Sequence, residues 1–334
     1  MRSLFIFFLC CKFTGMAYAQ DPHFSQFFSS PLTLNPAFTG KFFGAYRIAG
    51  NYRNQWSTIQ NAFSTNTASI DFQIMQNKIA NNDTWGVGFM GYSDNSAGGA
   101  VKFNYGSFST AYHKGLDEDG MHQIGAGFQI TYSNMLINTS LLNFEDQITI
   151  AGFRGISSEF FSGNTLKSNY IDLNAGLLYN GSTNNRNNFY LGVSMYHINR
   201  PKQSLTGAAF VLNPRTNFHA GGYFPIGYST SLHISGIQMF QNGASETMLG
   251  AAVQINATPD EIKATSIYIG SWMRLNDAII PYAGLEFGDY RIGISYDYTT
   301  SQIKTASLNR GGIEVSLIYI RRPSTDRPIN CPKF

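Results

Sequence analysis

From Phe43 to Ile320 the chain repeats one pattern. Apolar and polar or small side chains alternate residue by residue, stretch after stretch. Period two is the mark of a strand whose two faces meet different surroundings. In Tyr290–Tyr298, Tyr290, Ile292, Ile294, Tyr296 and Tyr298 share one face, and Arg291, Gly293, Ser295 and Asp297 share the other. Gln123–Tyr132 and Ile171–Tyr179 repeat it, with Ile124, Phe128 and Ile130, or Ile171, Leu173 and Leu177, on the apolar side. About fourteen such segments follow one another, each near the ~9–11 residues that a tilted membrane strand needs. After the leader no apolar run approaches the ~18–20 residues of a transmembrane helix. A chain of this kind crosses a membrane only as a closed barrel.

The expected strands are Phe43–Trp56, Ala62–Ile74, Thr84–Tyr92, Val101–His113, Met121–Tyr132, Tyr170–Tyr179 and Asn188–Tyr196. The second half adds Arg215–Phe224, Thr230–Phe240, Thr247–Asn256, Ile262–Arg274, Ile279–Phe287, Tyr290–Tyr298 and Gly312–Ile320. Short connections alternate with longer ones, chiefly Ser133–Asn169, His197–Pro214 and Thr299–Gly311. That alternation fits outer-membrane barrels, which have short periplasmic turns and long outer loops. It puts both termini in the periplasm. Aromatics near strand ends, among them Trp56, Trp85, Tyr92, Tyr112, Tyr132, Tyr170, Tyr196, Trp272 and Tyr319, read as interfacial girdles. Composition agrees: charged residues are 13% and aromatics 15% of the chain. The charged share is about half the usual. An ordinary soluble β-sandwich or barrel is the competing fold. The low charge, the leader and the lack of any helical spacer argue against it.

Residues 1–19 read as a signal peptide, with Arg2 in the basic region, an apolar stretch from Leu4 to Cys11, and Ala17-Tyr18-Ala19 as the cleavage site. Its removal leaves Cys331 as the one cysteine, and 21 basic residues against 20 acidic ones. A net charge so close to zero gives no case for nucleic-acid binding. Residues 20–41 form an N-terminal periplasmic or luminal segment, 42–320 the barrel, and 321–334 a periplasmic tail with Arg321, Arg322, Cys331 and Phe334.

The segment Asp21–Gly40, DPHFSQFFSSPLTLNPAFTG, has prolines at Pro22, Pro31 and Pro36, yet also Phe24, Phe27, Phe28, Leu32, Leu34 and Phe38. Proline excludes a helix or a central strand running through it, and disordered linkers are poor in aromatics. An extended lead-in packed against the barrel, rather than a loose linker, is the expectation. The run Asp21, Pro22, His23, Phe24, Ser25, Gln26, then Pro31, Leu34, Asn35, Pro36 and Gly40, resembles the start of the PorP/SprF proteins of the type IX secretion system of Bacteroidota. The closing Cys331-Pro332-Lys333-Phe334 is similar to the end of that family. The resemblance implies an outer-membrane accessory barrel. Its partners would be a large secreted adhesin with a C-terminal type IX secretion domain, and translocon or periplasmic components. Recognition would be non-covalent, to export or anchor the adhesin. A porin-like or apolar-solute channel is the alternative, distinguished by whether the lumen is open or plugged.

Nothing marks an enzyme, a cofactor or a metal site. The six histidines show no zinc-ligand spacing. His219 and His233 fall on neighbouring strands and read as lumen residues. Leu116–Gly120 lacks calcium-loop spacing and reads as a solvated turn. Gly86, Gly88, Gly91, Gly125 and Gly127 read as strand glycines. Ser133–Asn169 is too apolar for a solvated loop and would plug the lumen or cap the outer mouth. Phe144, Phe153, Phe160 and Phe161 there, with Leu205 and Phe210 in the next long connection, are the expected partner contacts. The N-terminal segment is expected to latch the inner end of the barrel with Phe24, Phe27, Phe28 and Phe38.

Overall fold

The computed structural model describes residues 23–57, 63–76, 78–80, 82–153, 156–161, 163–184, 186–207, 209–258 and 265–321. The expected signal peptide, Asp21, Pro22, Arg322, Cys331 and Phe334 lie outside the described residues, as does the side chain of Phe153.

The strands are β1 Tyr46–Gln55, β2 Phe63–Ile74, β3 Thr84–Ser96, β4 Val101–Gly115, β5 His122–Asn138, β6 Ile148–Thr149, β7 Gly152–Phe153, β8 Thr165–Gly181 and β9 Asn188–Tyr196. They continue as β10 Lys202–Ser204, β11 Ala209–Val211, β12 Arg215–Pro225, β13 Thr230–Gln241, β14 Ala244–Asn256, β15 Thr265–Arg274, β16 Ala278–Phe287, β17 Tyr290–Thr299 and β18 Arg310–Arg321. Two pairs, β6–β7 and β10–β11, are small separate hairpins. The other fourteen form one closed barrel in the order β1-β18-β17-β16-β15-β14-β13-β12-β9-β8-β5-β4-β3-β2. Every neighbour is antiparallel, and β1 closes on β18 from Tyr46↔Arg321 to Gln55↔Gly312. The start of β1 and the end of β18 therefore share one end, called here the near end.

Burial runs opposite to that of a soluble protein. Ile124, Phe128, Ile130 and Tyr132 of β5, and Tyr290, Ile292, Ile294, Tyr296 and Tyr298 of β17, are exposed. Arg47, Asn51, Arg53, Asp71, Asp172, Asn174, Ser295, Asp297 and Glu314 are buried. An apolar outer wall around a polar interior is the pattern of a membrane barrel. The alternation therefore assigns the two faces correctly.

At β3, β5 and β8 the ladder outruns the expected strand ends, whereas β1 is shorter than expected at both ends. β5 and β8 pair as far as Asn138↔Thr165, which shortens the long connection to residues 139–164. Between β13 and β14 the turn is Asn242-Gly243, both with positive φ, the pair that a two-residue hairpin favours. The girdle expectation needs correction for four residues. Tyr92, Tyr170, Tyr196 and Trp272 are buried, because their positions fall on the inward phase of their strands. The long loop does not plug the lumen. Ile150, Ile156 and Phe160 are almost fully exposed, and the lumen is occupied by another part of the chain.

Candidate functional site

That occupant is the N-terminal segment. From Phe24 to Phe42 nearly every residue is buried, including Phe24, Phe27, Phe28, Leu32, Leu34, Phe38 and Phe42. Burial of each such side chain is worth roughly 1.5–3 kcal/mol. The segment is not extended, as its prolines led one to expect. It coils in short helical turns at Phe27–Ser29, Pro31–Leu34 and Pro36–Phe38. Pro31 and Pro36 each open a turn. At a first helical position the missing N–H costs nothing and the fixed φ is already helical. The Asn35 side chain accepts from Ala37 N–H at 2.8 Å and caps the last turn.

The segment also runs the whole length of the lumen instead of staying at the near end. Its first described residues lie at the far end, where β15 and β17 finish and β18 begins. The Ser25 and Gln26 amides donate to the Glu314 carboxylate at 2.7 and 2.9 Å. Ser25 Oγ donates to Asp297 at 2.8 Å and accepts from Arg274 at 2.7 Å. Asp297 pairs with both Arg53, at 2.9 Å, and Arg274, at 3.0 Å. Gln26 bonds Ser295, Ser316 and the Glu314 carbonyl. His23 sits 2.8 Å from Glu246, and Arg53 donates to the His23 carbonyl. Buried charges need such partners.

In the middle, Phe28 packs on Trp272 and Tyr282, with centroids at 4.5 and 5.3 Å. The carbonyls of Leu32, Thr33 and Leu34 accept from Gln129, Tyr196 and Ser194. Asn35 Nδ2 donates to the carbonyls of Leu177, at 3.0 Å, and Val193, at 3.2 Å. It also lies 2.9 Å from His219 Nε2. His219 thus serves the segment. His233 is level with Tyr223, further along the neighbouring strand, and bonds Gln254 instead.

At the near end Gly40 N–H donates to Asp71 at 2.8 Å, and Asp71 pairs with Arg47 at 2.8 Å. Arg47 also donates to the Phe38 carbonyl at 3.1 Å. Gln73 donates to the carbonyls of Gly40 and Phe42, and the wholly buried Lys41 bonds Gln123. Gly40 has φ +71° and lies against Gly86; a Cβ on Gly86 would come within 2.3 Å of the Thr39 carbonyl oxygen. A Cβ on Gly127 would meet Ala37 N at 2.3 Å, and one on Gly176 would meet the Asn35 amide at 1.9 Å. These inward glycines form the floor on which the segment lies. Sequence reading missed that role. The available signal was glycine on the polar face of consecutive strands, where a lumen side chain would otherwise stand.

The expected partner contacts lie on the far loops. The Phe144 and Phe161 rings stack at 5.6 Å, Phe160 stands free of the fold, Leu205 is half-buried and Phe210 is exposed. Arg321 ends β18 and lies 3.8 Å from Asp289. No group of three or more His, Cys, Asp or Glu side chains could hold a metal ion among the described residues.

The family model for the type IX secretion system membrane protein PorP/SprF matches residues 16–319. The chain belongs to this family. The PorP/SprF assignment and the closed polar-lumen barrel agree on an outer-membrane β-barrel. No curated protein matched in sequence. Among solved structures, the toluene transporter TodX of Pseudomonas putida is similar in fold, with TM-score 0.50 and 8% identity over 87% of this chain and 92% of that one. The Ralstonia pickettii toluene transporter TbuX gives TM-score 0.49 and 10% identity over 88% and 93%. A FadL homologue from Pseudomonas aeruginosa gives 0.48 and 10% over 87% and 94%.

Proposed function

We propose that this PorP/SprF barrel binds a large secreted adhesin bearing a C-terminal type IX secretion domain, and helps export it or hold it at the cell surface. Binding is non-covalent and no reaction is catalysed. The near end faces the periplasm, where translocon or periplasmic components meet the barrel. The far loops face outward and carry the adhesin contacts, while outer-membrane lipid surrounds the apolar wall. The observation that carries this reading is the surface at the far end. There Ile148, Ile150, Ile156, Phe160, Phe210 and Val211 are exposed on two loops that each fold into a hairpin of their own. Clustered exposed apolar side chains mark interaction sites.

The test is a pull-down of the tagged protein from detergent-solubilised outer membranes. Recovery of a large adhesin, and its loss on Phe160→Ser with Phe210→Ser, supports the reading. A solitary barrel, or recovery unaffected by the paired change, sinks it. The second reading is a channel for apolar solutes. It draws on the fold shared with a toluene transporter and on the space left beside the plug. A segment fastened to the wall at both ends argues against free passage. Steady ionic conductance of the unmodified protein in planar bilayers would favour the channel.

A further inference from the structure

Outside the lumen, the lipid-facing wall carries an open groove of about 820 Å³ across β2–β5, in the size range of small-molecule sites. Its floor is one row of paired residues, Ala68, Gly91 and Gly106, closed at the β5 end by Tyr132. Its near edge is the next outward row, Ile70, Phe89, Phe108 and Ile130, all exposed. Gly91 and Gly106 have no positive φ, and nothing lies within 4 Å of a Cβ placed on either. Neither backbone conformation nor a close neighbour demands glycine there, in contrast to the inward glycines beneath the N-terminal segment. Glycine inside a strand weakens it, and often marks a place where something approaches the backbone closely.

Toward the far end the outward rows change chemistry in order. The first beyond the groove is Asn66, Ser93, Asn104, Asn134 and Asn169. The second holds Lys102 and Lys167, both exposed, on either side of Leu136. The two lysines stand two strand spacings apart, about 10 Å. No carboxylate occupies either row from β2 to β8. Apolar groove, then amides, then cations is the order of acyl chain, sugar and phosphate in a phosphorylated glycolipid. We propose that this face of the wall binds the phosphorylated glycolipid of the outer leaflet. One acyl chain lies in the groove, the sugars meet the asparagine row, and the phosphate sits on Lys102 and Lys167, which hold it as point charges.

Strand tilt joins these parts. The paired row through Tyr46 meets β8 at Ala175, six residues short of the near end of that strand at Gly181. A row therefore climbs toward the far end from β1 to β8, as strands tilted in a closed barrel require. The upper end of the groove then lies beneath the two lysines, and an acyl chain runs down from there toward β2. A neutral lipid would leave both lysines without a counter-charge, and a free phosphate would leave the groove empty. The row from Asn66 to Asn169 spans four strand spacings, about 19 Å, more than a single glycerol headgroup covers. On the other side of the barrel the outward far-end positions Met273, Ile279 and Tyr298 carry no cation. The choice of leaflet rests on the far end facing outward, as in the proposed function.

The test titrates the full-length barrel, delipidated in a non-ionic detergent, with lipid A and reads the bound fraction by native mass spectrometry. Phosphatidylglycerol and phosphatidylcholine are the comparison lipids. Lipid A is expected to stay bound where phosphatidylcholine does not, and to displace phosphatidylglycerol. Lys102→Gln with Lys167→Gln should weaken lipid A binding at least tenfold. Gly91→Leu with Gly106→Leu, which fills the groove and keeps both lysines, should abolish it. Phe160→Ser, which the adhesin reading needs, should leave it unchanged, so the two readings fail separately. If the glycine pair fails to fold, as judged by its heat-modifiable gel shift, the exposed lysine pair decides. The proposal is overturned if lipid A does not bind, if its binding survives in either folded paired variant, or if phosphatidylglycerol binds more tightly than lipid A.

Discussion

Residues 23–42 and residues 139–164 are both irregular, both rich in large apolar side chains and both lead into a long strand, yet they end in opposite surroundings. Phe38 is wholly buried and Phe160 is 91% exposed. Apolar content did not separate them. Two other properties do. The first stretch has a prepared seat, with inward glycines beneath it and buried side chains that match its backbone amides and carbonyls one by one. The second satisfies itself locally: Asp146 accepts from Ser157 and Ser158, and the chain turns back in the β6–β7 hairpin. A stretch bound throughout by its own barrel has few groups left for a partner. A stretch that satisfies its own polar groups leaves its rings available.

The sharpest way to break this contrast is to remove one charge from the far-end fastening. Asp297→Ala leaves Arg53 and Arg274 facing each other beside Ser25. Breaking a buried pair in this way costs roughly 3–5 kcal/mol. Unfolding in urea should show that loss, and planar bilayers should show new conductance as the segment leaves the lumen. A variant as stable and as closed as the parent would mean that the ionic cluster does not hold the segment.

A smaller effect is expected from the floor. Gly127→Val collides with Ala37, and overpacking of this kind costs typically 1–3 kcal/mol. Gly91 is the matched control, because nothing lies within 4 Å of a Cβ placed there. Gly91→Ala should change stability by less than about 0.5 kcal/mol. Equal effects from the two glycines would show that the near half of the lumen is not a seat.

On the loop side, Phe160→Ser should also leave stability within about 0.5 kcal/mol, since the ring is exposed. Under the proposed function, recovery of an adhesin in the pull-down should nevertheless fall several-fold. A variant that unfolds more easily would place Phe160 in the fold rather than in an interface.

The barrel was legible because its signal is repetitive. Every strand states the same alternation, so errors at single ends do not alter the count or the assignment of faces. Strand ends were harder to read. Tyr92, Tyr170, Tyr196 and Trp272 looked like interfacial rings, since an aromatic near a strand end carries no mark of which face it takes until the register is known. The segment at 23–42 was legible as apolar and proline-interrupted, but its course was not. Ser25 and Gln26 find Glu314 and Asp297 nearly the whole chain away, and no local pattern encodes such a pairing. Asn35 gave a partial signal, as an amide set between a leucine and a proline. Only the closed barrel brings the carbonyls of Leu177 and Val193 to it.

The smallest expected effect concerns acid. The Asp146 carboxyl is held below the ordinary aspartate value of 3.8, first by the Ser158 backbone N–H, against an opposing desolvation, and then by the Ser158 and Ser157 hydroxyls. A carboxyl whose folded value is depressed stabilises its fold above the unfolded value, and that contribution fades as pH falls through the folded one. The loop should therefore keep its shape down to about the ordinary carboxylate range and loosen only below it. The lumen segment shares no bond with Asp146 and should not respond to this titration. Limited proteolysis of the intact barrel by pepsin, compared with its Asp146→Asn variant, reads the difference. Above pH 3.8 the variant should be cut faster within 139–164 than the parent, and toward lower pH the two rates should converge. Rates that stay equal at every pH would show that Asp146 does not order the loop. The exposed side chains of Ile150, Ile156 and Phe160 would then owe their presentation to the β5–β8 ladder alone.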